Sequence, residues 1–380
     1  MMKYLKYYIV PLLSTFVFIG IYLGGHWMWL GLVVLFLVVV GGDAVLGEDD
    51  SQPEYSYPWL LEIPLHLALP IIILLLLSFA WASGSAGEDF LGIGQLLSGL
   101  FSYDFLTARD SNMLIDYIGA LFGVGFVVAG VGTNVGHELT HRIKDRIAML
   151  EGRWLLSASC NADFAIEHFY GHHVTVGTDE DPATARKGEN VYIFYIRSTI
   201  VSHIRAWKHE LKRLRKKGNH LLSFKNRIIT GYMMSALWAW VFFIAGGIFG
   251  LILFLGQAAF AKFILEVVNY MEHYGLSRKP EHPVGPEHSW NSTKTMSTLV
   301  LFSLTRHSAH HETPRVKFWK LDPYKDAPQM PYGYLTTLII CLIPPLWYKI
   351  INPSLNEWEQ KNLPAYDPWI ALIVGLTYSI

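Results

Sequence analysis

Residues 112–141 read NMLIDYIGALFGVGFVVAGVGTNVGHELTH. From Asn112 to Val135 the only charged side chain is Asp116, and about 20 apolar residues suffice to cross the hydrocarbon core of a bilayer. The run therefore predicts a membrane-crossing helix. It ends on His137 and His141, four residues apart and so on one helical face. A helix that crosses a membrane and presents two imidazoles at its end sets both the fold class and the kind of chemistry to look for.

The rest of the chain agrees with that start. Its 380 residues are 52% hydrophobic and only 16% charged, with a mean hydropathy of +0.29, a composition that belongs in lipid. A formal net charge of −1 gives no global attraction to nucleic acid, so nucleic acid is excluded as a partner. Two distant cysteines, Cys160 and Cys341, leave no CxxC metal knuckle, redox pair or disulfide framework.

Five further spans are predicted, at 4–23, 27–41, 60–81, 229–249 and 251–272. The first two make a hairpin at Gly24-Gly25, the second reaching span length with its flanks. Pro64 and Pro70 predict a kink in the third. The apolar stretch from Ile229 to Tyr270 is too long for one crossing and turns within Gly246-Gly247, Gly250 and Gly256. The expected fold is one all-α membrane domain over 1–380 with six transmembrane helices. Tyr332 to Ile351, broken by Pro344-Pro345, packs on the core or the membrane surface and is not a span. The first apolar segment lacks a small-residue cleavage site and reads as a retained span.

Loop charge orients the chain, because cytoplasmic loops near span ends are rich in Lys and Arg. Sixteen such residues lie between His137 and Arg227, whereas Ser83 to Ser111 holds only Arg109. The histidine-rich regions 136–227 and 273–330 and both termini are thus expected on the cytoplasmic side of a bacterial inner membrane. The basic run from His209 to Lys217 reads as the end of an amphipathic helix on anionic lipid.

Of sixteen histidines, seven (His26, His66, His203, His209, His220, His282 and His288) are scattered and read as structural. The other nine form four clusters: His137 and His141; His168, His172 and His173; His273; and His307, His310 and His311. Residues three or four apart share a helical face, so His137 with His141, His168 with His172, and His307 with His310 and His311 each aim imidazoles at one place. Neutral imidazole binds transition metals. Nine ligands exceed the capacity of one ion, while two six-coordinate ions would leave about three positions for oxygen, water or a bridge. Glu138, Glu167 and Glu272 adjoin these histidines and Asp163, Asp179, Asp181 and Glu189 lie near, candidates to accept the second imidazole N–H; the sequence does not pair acid with ring.

His137-Glu138-Leu139-Thr140-His141 also fits HExxH, the zinc-protease signature. A zinc protease needs three protein ligands and leaves the other clusters without a role. Together, Asn134 to Arg142, Glu167 to His173, Asp181 to Arg186, Asn269-Tyr270-Met271-Glu272-His273-Tyr274-Gly275-Leu276 and Arg306 to His311 resemble the integral-membrane alkane monooxygenases, within the wider superfamily of membrane desaturases and hydroxylases. The second box is HxxxHH where the superfamily has HxxHH, and Ala309 stands where family members often carry an acid.

The resemblance covers most of the chain. It implies a cytoplasmic-side di-iron site with all nine histidines as ligands to two non-haem iron ions. It further implies molecular oxygen, an n-alkane substrate approaching from membrane lipid and converted to a 1-alkanol, and two electrons from rubredoxin, itself reduced by an NAD(P)H-dependent reductase. With no paired CxxC motif, the donor is expected in trans or in a domain beyond residue 380. The alternatives are an acyl or lipid desaturase of the same superfamily and the HExxH zinc protease.

Overall fold

The computed structural model describes residues 2–362 and is built of helices, with no β-strand among them beyond two isolated bridges. Five helical stretches are long and apolar enough to cross a membrane: Lys3–Leu23, Gly25–Val45, Trp59–Ala82, Leu114–Thr140 and Arg227–His273. The protein is an all-α membrane protein. The first four of these stretches contain α1 (Ile9–Leu23), α2 (Leu30–Val45), α3 (Trp59–Ala82) and α4 (Leu114–Thr140). After α4 come α5 (Arg146–Ser157) and the amphipathic α6 (Val191–Lys216).

The hairpin between α1 and α2 closes where expected, with Gly24 and Gly25 both at positive φ (70° and 52°), a conformation that costs a glycine nothing. The second span reaches length through its flanks, as Gly25–Val45. α3 runs as one helix through Pro64 and Pro70.

Arg227–His273 is two antiparallel helices, because Gly246 (φ −140°, ψ 19°) and Gly247 (φ 59°, ψ −143°) break it. The rings of Phe242 and Phe254 lie 5.3 Å apart, whereas twelve residues of straight helix would separate them by about 18 Å. The arms are α7 (227–245) and α8 (248–273), so the turn falls a few residues before the predicted one. An added Cβ at Gly246 would lie 2.2 Å from Ser83 Oγ, which is why the tip packs against the end of α3. Around the hairpin Leu237, Trp240, Phe243, Ile244, Ile248 and Ile252 are exposed, an apolar surface suited to lipid.

One end of the bundle gathers the Gly24-Gly25 turn, the Gly246-Gly247 turn and the 83–113 connection, where Gly25 N donates to Asn112 Oδ1 at 2.6 Å. The other end carries the polar structure. There Arg142, just past α4, bonds Glu62 on the first turn of α3 at 2.5 Å, and Arg306 donates to the carbonyls of Asp49 and Ser51. α9 (His307–Glu312), α10 (Tyr334–Cys341) and α11 (Pro344–Asn362) complete that end. The 332–351 stretch breaks before Pro344 and packs inward, with Cys341 and Trp347 buried. The predicted placement of the C-terminus falls on residues outside those described.

Candidate metal centre

α4 does not stop at Val135: it continues to Thr140 through a π-helical turn at Val128–Thr133. His137 therefore sits on the spanning helix itself, and His141 caps it. His273 is the last residue of α8. His168 to His172 form a second π-turn and His173 follows it. His307, His310 and His311 lie on α9. All nine are buried.

They converge as two groups: His137, His141, His168, His173 and His310; and His172, His273, His307 and His311. Within each, one nitrogen per ring lies within 4.8 Å of all the others. The groups touch, with the rings of His173 and His311 centred 4.4 Å apart. The helical expectation holds for His137/His141 and His307/His311 but not for His307/His310, three apart on α9, nor for His168/His172; both of these pairs divide between the groups. For the second box the cause is the π-turn. Residues five apart point about 140° from each other on an α-helix, whereas i→i+5 hydrogen bonding stacks them, so His168 aligns with His173 and His172 is turned to the other group.

Neighbouring Nε2 atoms are spaced as ligands of one ion would be. His137 to His168 is 2.7 Å, His137 to His310 and His168 to His173 are 2.9 Å, His307 to His311 is 3.0 Å, His273 to His307 is 3.1 Å and His172 to His311 is 3.2 Å. Nitrogens bound at about 2.1 Å and 90° apart are about 3.0 Å from each other, and at the tetrahedral angle about 3.4 Å. The spacing fits near-octahedral coordination, and five donors exceed a tetrahedral zinc site. Both nitrogens of His141 are buried without hydrogen-bond partners, a costly arrangement unless an ion completes the five-histidine group. Burial first, and then the neighbouring imidazoles, hold His168, His173, His307 and His311 well below the usual imidazole range and His310 down to about 3. They are neutral, the form that binds metal.

The acids take different parts. Asp181 Oδ2 accepts from His172 Nδ1 at 2.9 Å and from Thr184 Oγ1 at 2.6 Å; burial opposes its charge, but His172 and Thr184 keep its carboxyl below the ordinary range. This fixes the His172 tautomer with Nε2 free for a metal. Glu167 pairs with Arg205 at 3.0 Å, and burial, then Asp181, push its carboxyl up to about 8. Glu138 is held by Arg142 at 3.1 Å, so the HExxH glutamate is engaged in an ion pair and its two histidines belong to a five-histidine group. Glu272 faces the ligand side, with Oε2 3.3 Å from His307 Nε2 and Oε1 accepting from Tyr334 OH at 3.0 Å.

Tyr334, Arg205 and the Ser289 hydroxyl, 3.4 Å from His273 Nδ1, were not signalled by the histidine spacing. Of the scattered histidines, His26, His66 and His203 pair with Asp116, Glu151 and Asp163, while His288 lies beside His273 through its carbonyl. Below the site runs an apolar cavity of about 120 Å³ between α1, α2, α4, α8 and α10, whose polar lining is only Ser14, Ser297 and Tyr334.

Comparison with known proteins places this arrangement. The fatty acid desaturase family profile matches residues 115–339. The chain is 32% identical to alkane 1-monooxygenase 2 of Alcanivorax borkumensis over 93% of this chain and 90% of that protein. It is 34% identical to alkane 1-monooxygenase 2 of Pseudomonas aeruginosa over 87% and 85%. Against the xylene/toluene monooxygenase hydroxylase component XylM of Pseudomonas putida, identity is 30% over 95% and 91%. With a profile covering more than half of its length, and relatives that align nearly end to end, the chain belongs to the fatty acid desaturase family, among its membrane monooxygenases.

Proposed function

We propose that the protein is a membrane alkane 1-monooxygenase that converts n-alkanes to 1-alkanols with molecular oxygen. The reaction balances as RH + O2 + 2 electrons + 2 protons giving ROH + H2O. The observation that carries it is the apolar cavity lined in part by Tyr334, whose hydroxyl bonds Glu272 beside the four-histidine group. A linear, unfunctionalised chain gives a protein nothing to hold but its apolar surface.

Two non-haem iron ions are the proposed cofactors, held by His137, His141, His168, His173 and His310 and by His172, His273, His307 and His311. Bound there, iron supplies the redox chemistry that activates oxygen with two electrons. The chain's own residues do the rest. The cavity admits substrate from lipid and excludes water, the imidazoles of His168, His173, His307, His310 and His311 stay neutral, and Asp181 orients His172. Reduced rubredoxin, regenerated by an NAD(P)H-dependent reductase, is the proposed electron source. The chain is proposed to cross a bacterial inner membrane six times, counting α7 and α8 separately, with the histidine end cytoplasmic.

Purified protein in lipid nanodiscs with iron, rubredoxin, reductase and NADH should convert octane to 1-octanol and consume NADH in proportion. An alkene as product would favour the desaturase reading, and preferential attack on the methyl group of xylene would move the substrate class to aromatics. One zinc and no iron per chain would end the proposal.

A further inference from the structure

Three openings lie near the histidine groups. The apolar cavity is lined by Tyr334, which bonds Glu272, and by none of the nine histidines. A second, of about 400 Å³, touches His168 and His172; it holds the buried Lys262–Glu266 pair (2.5 Å) and lies between α8, at Leu255 and Ala259, and α6, at Thr199, Ser202 and His203. The third, of about 330 Å³, lies over His141 between residues 142–145 and 314–317. These two segments directly follow the histidine boxes that supply His141 and His310, both of the five-histidine group.

The rim of this third opening is basic, and part of that charge is unspent. Arg142 and Lys317 are committed to Glu62, and Arg142 also to Glu138. Asp145 caps α5 by accepting from the N–H groups of Ile147 and Ala148. Lys144 and Arg315 on the rim, and Arg146 beside it, are exposed and form no ion pair among the described residues. Electron tunnelling weakens exponentially with distance, so a carrier protein must dock where a metal ligand comes nearest to an aqueous surface. His141 is the histidine of the five-histidine group that lines this opening, and its ring is bonded to no other residue.

We infer that the pocket over His141, rimmed by Lys144, Arg146 and Arg315, is the docking surface for an acidic one-electron carrier protein, and that electrons enter through the five-histidine group. The inference rests on the proposed oxygenase reading for the need of a carrier, but its geometry stands apart from substrate and product. Free cations at the rim attract an acidic partner at long range and set its register, acting on association rate and salt dependence.

The test measures binding of purified rubredoxin to the full chain in nanodiscs, iron-loaded and metal-free, across ionic strength. Lys144→Glu with Arg315→Glu should weaken binding about tenfold or more and flatten its dependence on salt. Lys144→Gln and Arg315→Gln, which remove charge without adding acid, should move it the same way by less, with iron content retained as the check on folding. Lys212→Glu with Lys216→Glu, on the far basic end of α6, should leave binding unchanged. Unaltered affinity in the first pair, or an equal loss in the α6 pair, overturns the assignment. If the first pair alone loses binding while chemically reduced wild-type protein yields no alkanol on exposure to oxygen, the docking surface stands and the oxygenase reading falls.

Discussion

The hydroxyl of Tyr334 donates to Oε1 of Glu272 at 3.0 Å, while Oε2 of the same carboxylate lies 3.3 Å from Nε2 of His307. One phenol thus joins the lining of the apolar cavity to the edge of the four-histidine group. Tyr334→Phe removes a buried hydrogen bond to a carboxylate, worth about 1–3 kcal/mol. The expected result is a lower thermal midpoint and reduced alkanol yield, with rubredoxin binding unaffected. A variant as stable and as active as the parent would show that the contact has no part in holding Glu272.

The division of the histidines predicts separate metal losses. His173→Ala should empty the five-histidine group preferentially and His307→Ala the four-histidine group, each leaving about one iron per chain by elemental analysis. His273→Ala should both reduce iron and abolish product. Asp181→Asn keeps the size of the side chain but removes the carboxylate from His172 Nδ1, and should weaken iron retention against a chelator by about 10–100-fold.

Glu210 fastens α6 to the start of α7, accepting from Arg213 and from both the backbone and side chain of Arg227. Burial opposes its charge, yet these bonds hold its carboxyl down to about 2. A depressed carboxylate stabilises the fold fully above its ordinary pKa and loses that contribution as pH falls toward the folded value. Acid titration should therefore erode stability between about pH 4.5 and 2, and Glu210→Gln should be less stable at neutral pH with that part of the acid dependence missing. Unfolding followed by tryptophan fluorescence reports both.

Gly123 lines the apolar cavity, and an added Cβ there would meet Val17 and Leu32 only at ordinary contact distances of 3.6–3.8 Å. The backbone thus tolerates a side chain, which would narrow the bore one turn beyond Val127. Gly123→Leu should shift product from a mixture of short and long n-alkanes toward the shorter alcohols without changing iron content. Product analysis by gas chromatography reads the ratio directly.

Much of this was legible in the sequence, for stated reasons. Apolar length marked the long helical stretches, but Gly246-Gly247, Gly250 and Gly256 left the turn of the longest one open; it falls where Gly247 takes a φ and ψ that glycine alone adopts readily. The spacing of His137/His141 and His307/His311 is helical geometry written in residue numbers. The partner of Tyr334 was hidden because Glu272 lies 62 positions earlier and apolar periodicity does not pair distant side chains. The separation of His168 from His172 was hidden for another reason: a π-turn is a property of backbone hydrogen bonding, and the one glycine in His168-Phe169-Tyr170-Gly171-His172-His173 does not distinguish it from an α-helical turn.

That π-turn couples the two histidine groups during assembly. The second box sends His168 and His173 one way and His172 the other, and α9 sends His310 one way and His307 and His311 the other. An ion captured by either group fixes backbone that the other needs, so part of the ordering entropy for the second ion is already spent when it arrives. The second ion should accordingly bind more tightly than the first, a variant that keeps one group intact should hold its single ion more weakly than the parent does, and the metal-free protein should lose order in the second box and α9 together.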